Sequence, residues 1–165
     1  MPADTVRMPT GPRDRVAIDG GRRVAILRRR ERVLDIVDAR SGRRLARAGA
    51  GIGPAQIAAH GGRLYVTDTE GDALLVFVVR PALELVRRVF LAGAPYAIAV
   101  DPVREQLWIT LTRRNEVVEA PAHALPFPSA RWPAVRQPDA IAVDSGTGTA
   151  LIAGRSAGVV QAIAP

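Results

Sequence analysis

Apolar residues fall along this chain in short runs of four to seven, rich in β-branched side chains and bounded by glycine, proline and charge. That is the pattern of strands rather than of a helical face. The longest stretch with any helical period, Arg30 to Ala50, is cut by Ser41-Gly42, so it too reads as strand, turn, strand. The runs recur in a fixed order. Val16-Ala17-Ile18-Asp19 aligns with Ile57-Ala58-Ala59-His60, Ile98-Ala99-Val100-Asp101 and Ile141-Ala142-Val143-Asp144. Pro12, Pro54, Pro95 and Pro138 stand ahead of them, and the alanines at 17, 58, 99 and 142 are 41, 41 and 43 residues apart.

Each unit continues alike. A turn such as Gly20-Gly21-Arg22, Gly61-Gly62-Arg63 or Ser145-Gly146-Thr147-Gly148 leads to a second run, Val24 to Leu27, Leu64 to Thr67, Leu107 to Thr110 or Leu151 to Ala153. A third run follows: Val33 to Val37, Leu74 to Val78, Val117 to Glu119 and Val159 to Ile163. Weaker fourth runs lie at Leu45 to Arg47, Leu85 to Leu91 and Arg131 to Val135, the last broken by Pro133 as an edge strand tolerates.

A period near 42 residues with four short strands predicts an all-β fold, a small β-propeller of about four four-stranded blades. The expected organisation is one domain over 1–165, with units 12–52, 53–94, 95–137 and 138–165 plus 1–11. The fourth unit lacks a fourth strand. Thr5 to Pro12 resembles the fourth strand and turn Val89 to Pro95, so an N-terminal strand is expected to close the last blade and remove two open edges. The alanine column suits the crowded axis of such a ring.

Composition narrows the chemistry. There is no cysteine, which removes disulfides, thiol nucleophiles and thiolate metal sites. No window has the length of apolar residues needed to span a membrane, and no signal peptide is visible. All 23 basic residues are arginine, as in proteins of GC-rich genomes, and the net charge is +7. That excess lies in residues 1–50, where thirteen arginines face six acids, while the remainder is neutral.

The unit Pro95 to Pro102, followed by Leu107-Trp108-Ile109-Thr110-Leu111 and Asn115-Glu116-Val117-Val118-Glu119, resembles the YVTN (YncE-like) β-propeller repeat. Leu64-Tyr65-Val66-Thr67-Asp68 nearly spells its signature, whereas the first and last units carry Val24 and Leu151 in place of the aromatic. The resemblance covers essentially the whole chain and implies bacterial proteins of about seven blades, often with an export signal. Against that, this chain offers four blades. It is therefore expected to be a small closed ring, or a part that needs a partner, two chains pairing into eight blades. The expected state is monomer or homodimer. The compartment is cytoplasmic for want of a leader, or exported if the gene is truncated at its start. Calcium lactonases and streptogramin lyases share this fold, but their acid and histidine sets do not map onto this sequence.

Candidate chemistry is sparse. Asp19, His60, Asp101 and Asp144 end the four first strands and are expected around one mouth of the axis. There they either bond to their own turns or hold a divalent cation, the one candidate cofactor, for a hydrolase or lyase. His123 falls in a proline-rich loop. No nucleophile elbow or phosphate loop occurs. The turns between second and third strands carry Arg28, Arg29, Arg30, Arg32, Arg113, Arg114 and Arg155, a face able to take phosphate or carboxylate. Tyr65, Phe77 and Trp108 lie within apolar runs, so stacking platforms for nucleic acid are missing and that reading ranks lower. The leading expectation is a non-catalytic scaffold that binds an unidentified protein or small ligand through its loop faces.

Overall fold

Alternation within each apolar run, punctuated by tight turns, produces hairpin after hairpin. The computed structural model describes residues 13–18, 21–123, 126–156 and 158–164. The expected closing strand at 1–11 and the candidate Asp19 lie outside the described residues. Sheet 1 is built from β1 (Arg13–Ile18), β2 (Arg23–Arg28), β3 (Val33–Asp38) and β4 (Arg44–Gly49). Sheet 2 holds β5 (Pro54–His60), β6 (Arg63–Asp68), β7 (Ala73–Val78) and β8 (Glu84–Phe90). Sheet 3 holds β9 (Pro95–Asp101), β10 (Gln106–Leu111), β11 (Glu116–Pro121) and β12 (Ala130–Pro133). Sheet 4 has three strands among the described residues, β13 (Pro138–Asp144), β14 (Thr149–Gly154) and β15 (Val160–Ile163). All pairings are antiparallel between chain neighbours.

The sheets stack in chain order, each turning one face to the sheet before it and one to the sheet after. Ala25, Leu27, Leu34 and Ile36 of sheet 1 pack on Ile57, Leu64, Val66, Leu75 and Phe77 of sheet 2. The opposite face of sheet 2, with Tyr65, Leu74 and Val76, packs on Ile98, Leu107 and Ile109 of sheet 3. Trp108 and Val117, on the far side of sheet 3, meet Ala150, Ile152 and Ile163 of sheet 4. Trp108 is 1% exposed and stacks on the indole of Trp132, centroids 5.0 Å apart. Tyr65 and Phe77 are fully buried. The three aromatics are core, as their place in apolar runs implied.

Inner strands pack β1 on β5, β5 on β9 and β9 on β13. Among the described residues β13 and β1 are not joined in this way, and the far face of sheet 4 stays open. The four sheets thus form an arc, and the closed ring expected from the sequence is not made by the described residues.

The first hairpin also departs from the expected alignment. Tyr65 pairs with Ala58 and Trp108 with Ala99, but Ala25, which occupies the same place ahead of its turn, pairs with Val16. The inner column is therefore Val16, Ala58, Ala99 and Ala142, with Ala17 one place off, and Ala25 rather than Val24 stands at the aromatic position. Matching Gly20-Gly21 to Gly61-Gly62 hid this. The first hairpin leaves four residues between the pair Ile18 and Arg23, whereas the second leaves two between His60 and Arg63.

The passage from each sheet to the next hangs on one repeated device. Arg32, Asp72 and Asn115, with φ of 57°, 46° and 53°, end the hairpins between second and third strands. Their carbonyls accept the amides of Ala50, Leu91 and Ala134. Side chains add a second tie: Asp72 accepts Gly93 N at 3.0 Å and Ala94 N at 2.8 Å, and Asn115 accepts Gln137 N at 2.8 Å. Arg32 has no acceptor to offer. There the fully buried Asp68 of sheet 2 takes the amides of Ile52 and Gly53 instead, together with Gly71 N.

Candidate functional site

With Asp19 outside the described residues, the inner-strand ends that are described are each occupied by their own neighbours. Asp101 is fully buried and accepts Val103 N at 3.0 Å, Arg104 N at 3.2 Å and Arg104 Nη1 at 3.1 Å. Burial pushes its carboxyl up, but these donors outweigh that and hold it below the usual carboxylate range. Asp144 accepts Thr147 Oγ1 and Gly146 N, both at 2.9 Å, which lowers its pKa in the same way. Each carboxylate is used by its own turn. His60 Nε2 lies 3.8 Å from Glu105, a clamp between sheets 2 and 3, and Arg104 Nη1 also donates to Ser145 O, tying sheet 3 to sheet 4. In sheet 1 the place of His60 belongs to Ile18 by register. Among the described residues no three of His, Asp or Glu are grouped so as to hold a metal ion.

The opposite ends of the strands carry the hairpins between second and third strands and the links between sheets. Arg29 Nη1 donates to Tyr96 Oη at 3.4 Å, reaching from the first sheet to the inner strand of the third. Arg30 and Arg32 are exposed, and neither meets a carboxylate among the described residues. Arg113 Nη1 pairs with Asp72 at 3.2 Å, linking sheets 3 and 2, and Arg155 Nε pairs with Asp139 at 3.0 Å. Arg114 runs beside Gly93, where a side-chain carbon would sit 2.9 Å from its Cδ. Arg28 is apart from this face. Its guanidinium is 3.6 Å from Glu31 and 3.8 Å from Asp35 on the outer face of sheet 1, where Arg47 grips Asp35 through two hydrogen bonds of 2.7 and 2.8 Å.

Two depressions open on this end. One of about 340 Å³ is lined by Arg29, Arg30, Arg32, Gly53, Thr69, Glu70 and Tyr96, and one of about 410 Å³ by Thr69, Tyr96, Thr112, Arg113, Asp139 and Arg155. Thr69 and Tyr96 wall both, so the two adjoin across the inner strands. Thr69 is fixed by donating from its hydroxyl to Pro95 O at 2.7 Å. A larger cavity, about 570 Å³, lies at the other end around Ile18, His60, Gly61, Arg63 and Val79. Of the seven arginines singled out in the sequence, Arg29, Arg30, Arg32, Arg113 and Arg155 line the paired depressions, while Arg28 and Arg114 do not. Tyr96 and Thr69 escaped sequence reasoning. Only the conformity of Tyr96 to the start of an inner strand, next to Pro95, gave a signal.

No protein-family model matches the chain, and none of the curated proteins does. Solved structures do. Hydrazine synthase of Kuenenia stuttgartiensis aligns over 93% of this chain and 46% of its own at 16% identity, TM-score 0.81. The Swd1 β-propeller domain of Myceliophteria thermophila aligns over 90% and 52% at 13% identity, TM-score 0.75. Virginiamycin B lyase from Staphylococcus aureus, solved with quinupristin, aligns over 94% and 56% at 13% identity, TM-score 0.69. The fold is thus of the β-propeller type, and the chain spans about half the length of the structures it matches.

Proposed function

We propose that the chain is a non-catalytic scaffold of YVTN-like propeller blades, which binds an anionic group of a protein segment or small ligand at the paired depressions around Tyr96. The observation that carries this reading is the exposed pair Arg30 and Arg32 beside Arg29, with no carboxylate of the described residues on either, at the rim of a concavity. Guanidinium groups there offer planar, paired donors to phosphate or carboxylate. Arg113 and Arg155, already neutralised by Asp72 and Asp139, shape the neighbouring hollow rather than charge it.

Calorimetric titration at low salt with inorganic pyrophosphate and with a hexaglutamate peptide tests the site. Binding of either is expected, weakened by added salt, and weakened about tenfold by Arg30→Ser with Arg32→Ser. A flat titration with both probes, or affinity indifferent to the substitutions, rejects the reading.

A further inference from the structure

The face of sheet 4 turned away from sheet 3 is apolar and uncovered. Hairpin register places Ala140, Ala142, Leu151, Ala153, Val160 and Ala162 together on it, with Leu151 42% and Val160 66% exposed. Leu151 holds the position of Tyr65 in sheet 2 and Trp108 in sheet 3, each paired to the alanine of its inner strand. Those two are buried to 0% and 1% because a following sheet covers them. Wherever a next sheet exists, this face is covered.

At the other end of the arc, sheet 1 presents Val24, Ile26, Val33 and Val37 on its outer face, around the ion pairs of Asp35 with Arg47 and Arg28. These are the positions that Leu64, Val66, Ala73 and Phe77 hold in sheet 2, where they meet the preceding sheet. Val24 and Val33 are half-buried, and Ile26 and Val37 are buried.

We propose that the open face of sheet 4 is the docking surface for a second copy of this chain, whose sheet 1 packs on it as sheets 2, 3 and 4 pack on their predecessors. Two such junctions related by a twofold axis complete a ring of eight sheets, a size within the usual range of propellers. The span of the arc supports this: the chain matches 52% and 56% of two β-propeller chains, so two arcs come to about one circuit. Within the chain the same order repeats. β4 leads into β5, β8 into β9 and β12 into β13, so the outermost strand of one sheet directly precedes the innermost strand of the next. The pairing does not rest on the arginine face, and either can fail without the other.

Light scattering on the purified chain is expected to give about twice 17.6 kDa. Leu151→Arg and, separately, Val160→Arg place a charge in the junction and are expected to halve that mass while the far-ultraviolet circular dichroism and Tm stay those of a folded chain. Val160 is the more exposed, so its variant decides if Leu151→Arg fails to fold. Because the chain has no cysteine, Val24→Cys with Leu151→Cys gives a second reading. Oxidation is expected to link two chains only when both substitutions are present. A monomeric parent chain overturns the proposal. So does linkage of Leu151→Cys alone, which means sheet 4 docks on itself, or a 24–151 link within one chain, which means the arc closes alone.

Discussion

The guanidinium of Arg29 and the hydroxyl of Tyr96, 67 residues apart in sequence, meet at 3.4 Å over the inner strands of the arc. One side chain belongs to a hairpin tip of the first sheet and the other to the innermost strand of the third, so only the stacking of sheets brings them together. Tyr96 also walls both depressions. Its ring is the partition and its hydroxyl holds one of the three arginines.

Tyr96→Phe keeps the partition and releases Arg29. The loss of one partly exposed hydrogen bond is expected to cost at most about 1 kcal/mol, read as a small shift in the urea midpoint. Pyrophosphate affinity should hold or rise, since Arg29 becomes free to engage the anion. A marked loss would mean that Arg29 works only when fixed by the tyrosine.

Asp68 is the hub of the link between sheets 1 and 2. Its carboxylate, fully buried, receives Ile52 N, Gly53 N and Gly71 N. Asp68→Ala strands these amides and is expected to destabilise by about 3 kcal/mol, measured by chemical unfolding. Gly51, at φ +94°, and Gly71 press so close to that carboxylate that a side-chain carbon at either would overlap it. Gly71→Ala should therefore be destabilising too, whereas Gly146→Ala, whose nearest neighbour would lie at 3.2 Å, should cost far less.

Trp108 joins sheets 3 and 4 and is 1% exposed. Trp108→Ala removes a large buried volume and its stack on Trp132, and about 3–5 kcal/mol of stability should go with it. An unfolding midpoint near that of the parent would show that sheet 4 contributes little to the cooperative unit.

Asp35 is a buried carboxylate, 3% exposed, where sheets 2 and 3 carry Leu75 and Val118. Its partner Arg47 occupies the outer-strand position that Arg88 and Arg131 hold in the next two sheets. Removing Arg47 alone should be more damaging than replacing Asp35 by leucine, because only the first change leaves a buried charge without its hydrogen bonds, held by the 3.8 Å contact to Arg28 alone. Thermal melts of Arg47→Ala, Asp35→Leu and the double variant check the order.

Acid should act on two sets of carboxylates with opposite signs. Asp72 is held low first by the amides of Ala94 and Gly93, and Asp101 and Asp144 are also lowered, so their support is present above the ordinary carboxylate range and is lost as pH falls toward their folded values. Glu119 is raised, by burial first and then by the nearby Asp101 charge. Its folded state favours the proton, so it penalises folding above its raised pKa and stops doing so once both states are protonated. Glu119→Gln should therefore raise Tm at pH 7, with a gap that closes as pH falls through the Glu119 pKa. A gap independent of pH would assign the effect to packing.

The sequence by itself determined the strands and their order. Turn residues and alternation act over a few positions, so each hairpin is written locally, and the repeat of near 42 residues forces the same sheet again and again. It also told that Tyr65, Phe77 and Trp108 are core, because they sit inside apolar runs. It misjudged the first hairpin by one residue, since Gly20-Gly21 and Gly61-Gly62 look alike while strand pairing depends on which face must meet sheet 2. At the ends of the inner strands the sequence left two readings open, a bond to the local turn or a shared cation site. Asp101 and Asp144, alike in sequence to a cluster, each satisfy amides of their own turns. Tyr96, an ordinary residue of one strand, becomes the centre of the concave face because sheets 1 and 3 converge on it. Whether four sheets close or stay open turns on how each packs on the next, a sum over whole faces that no single repeat contains.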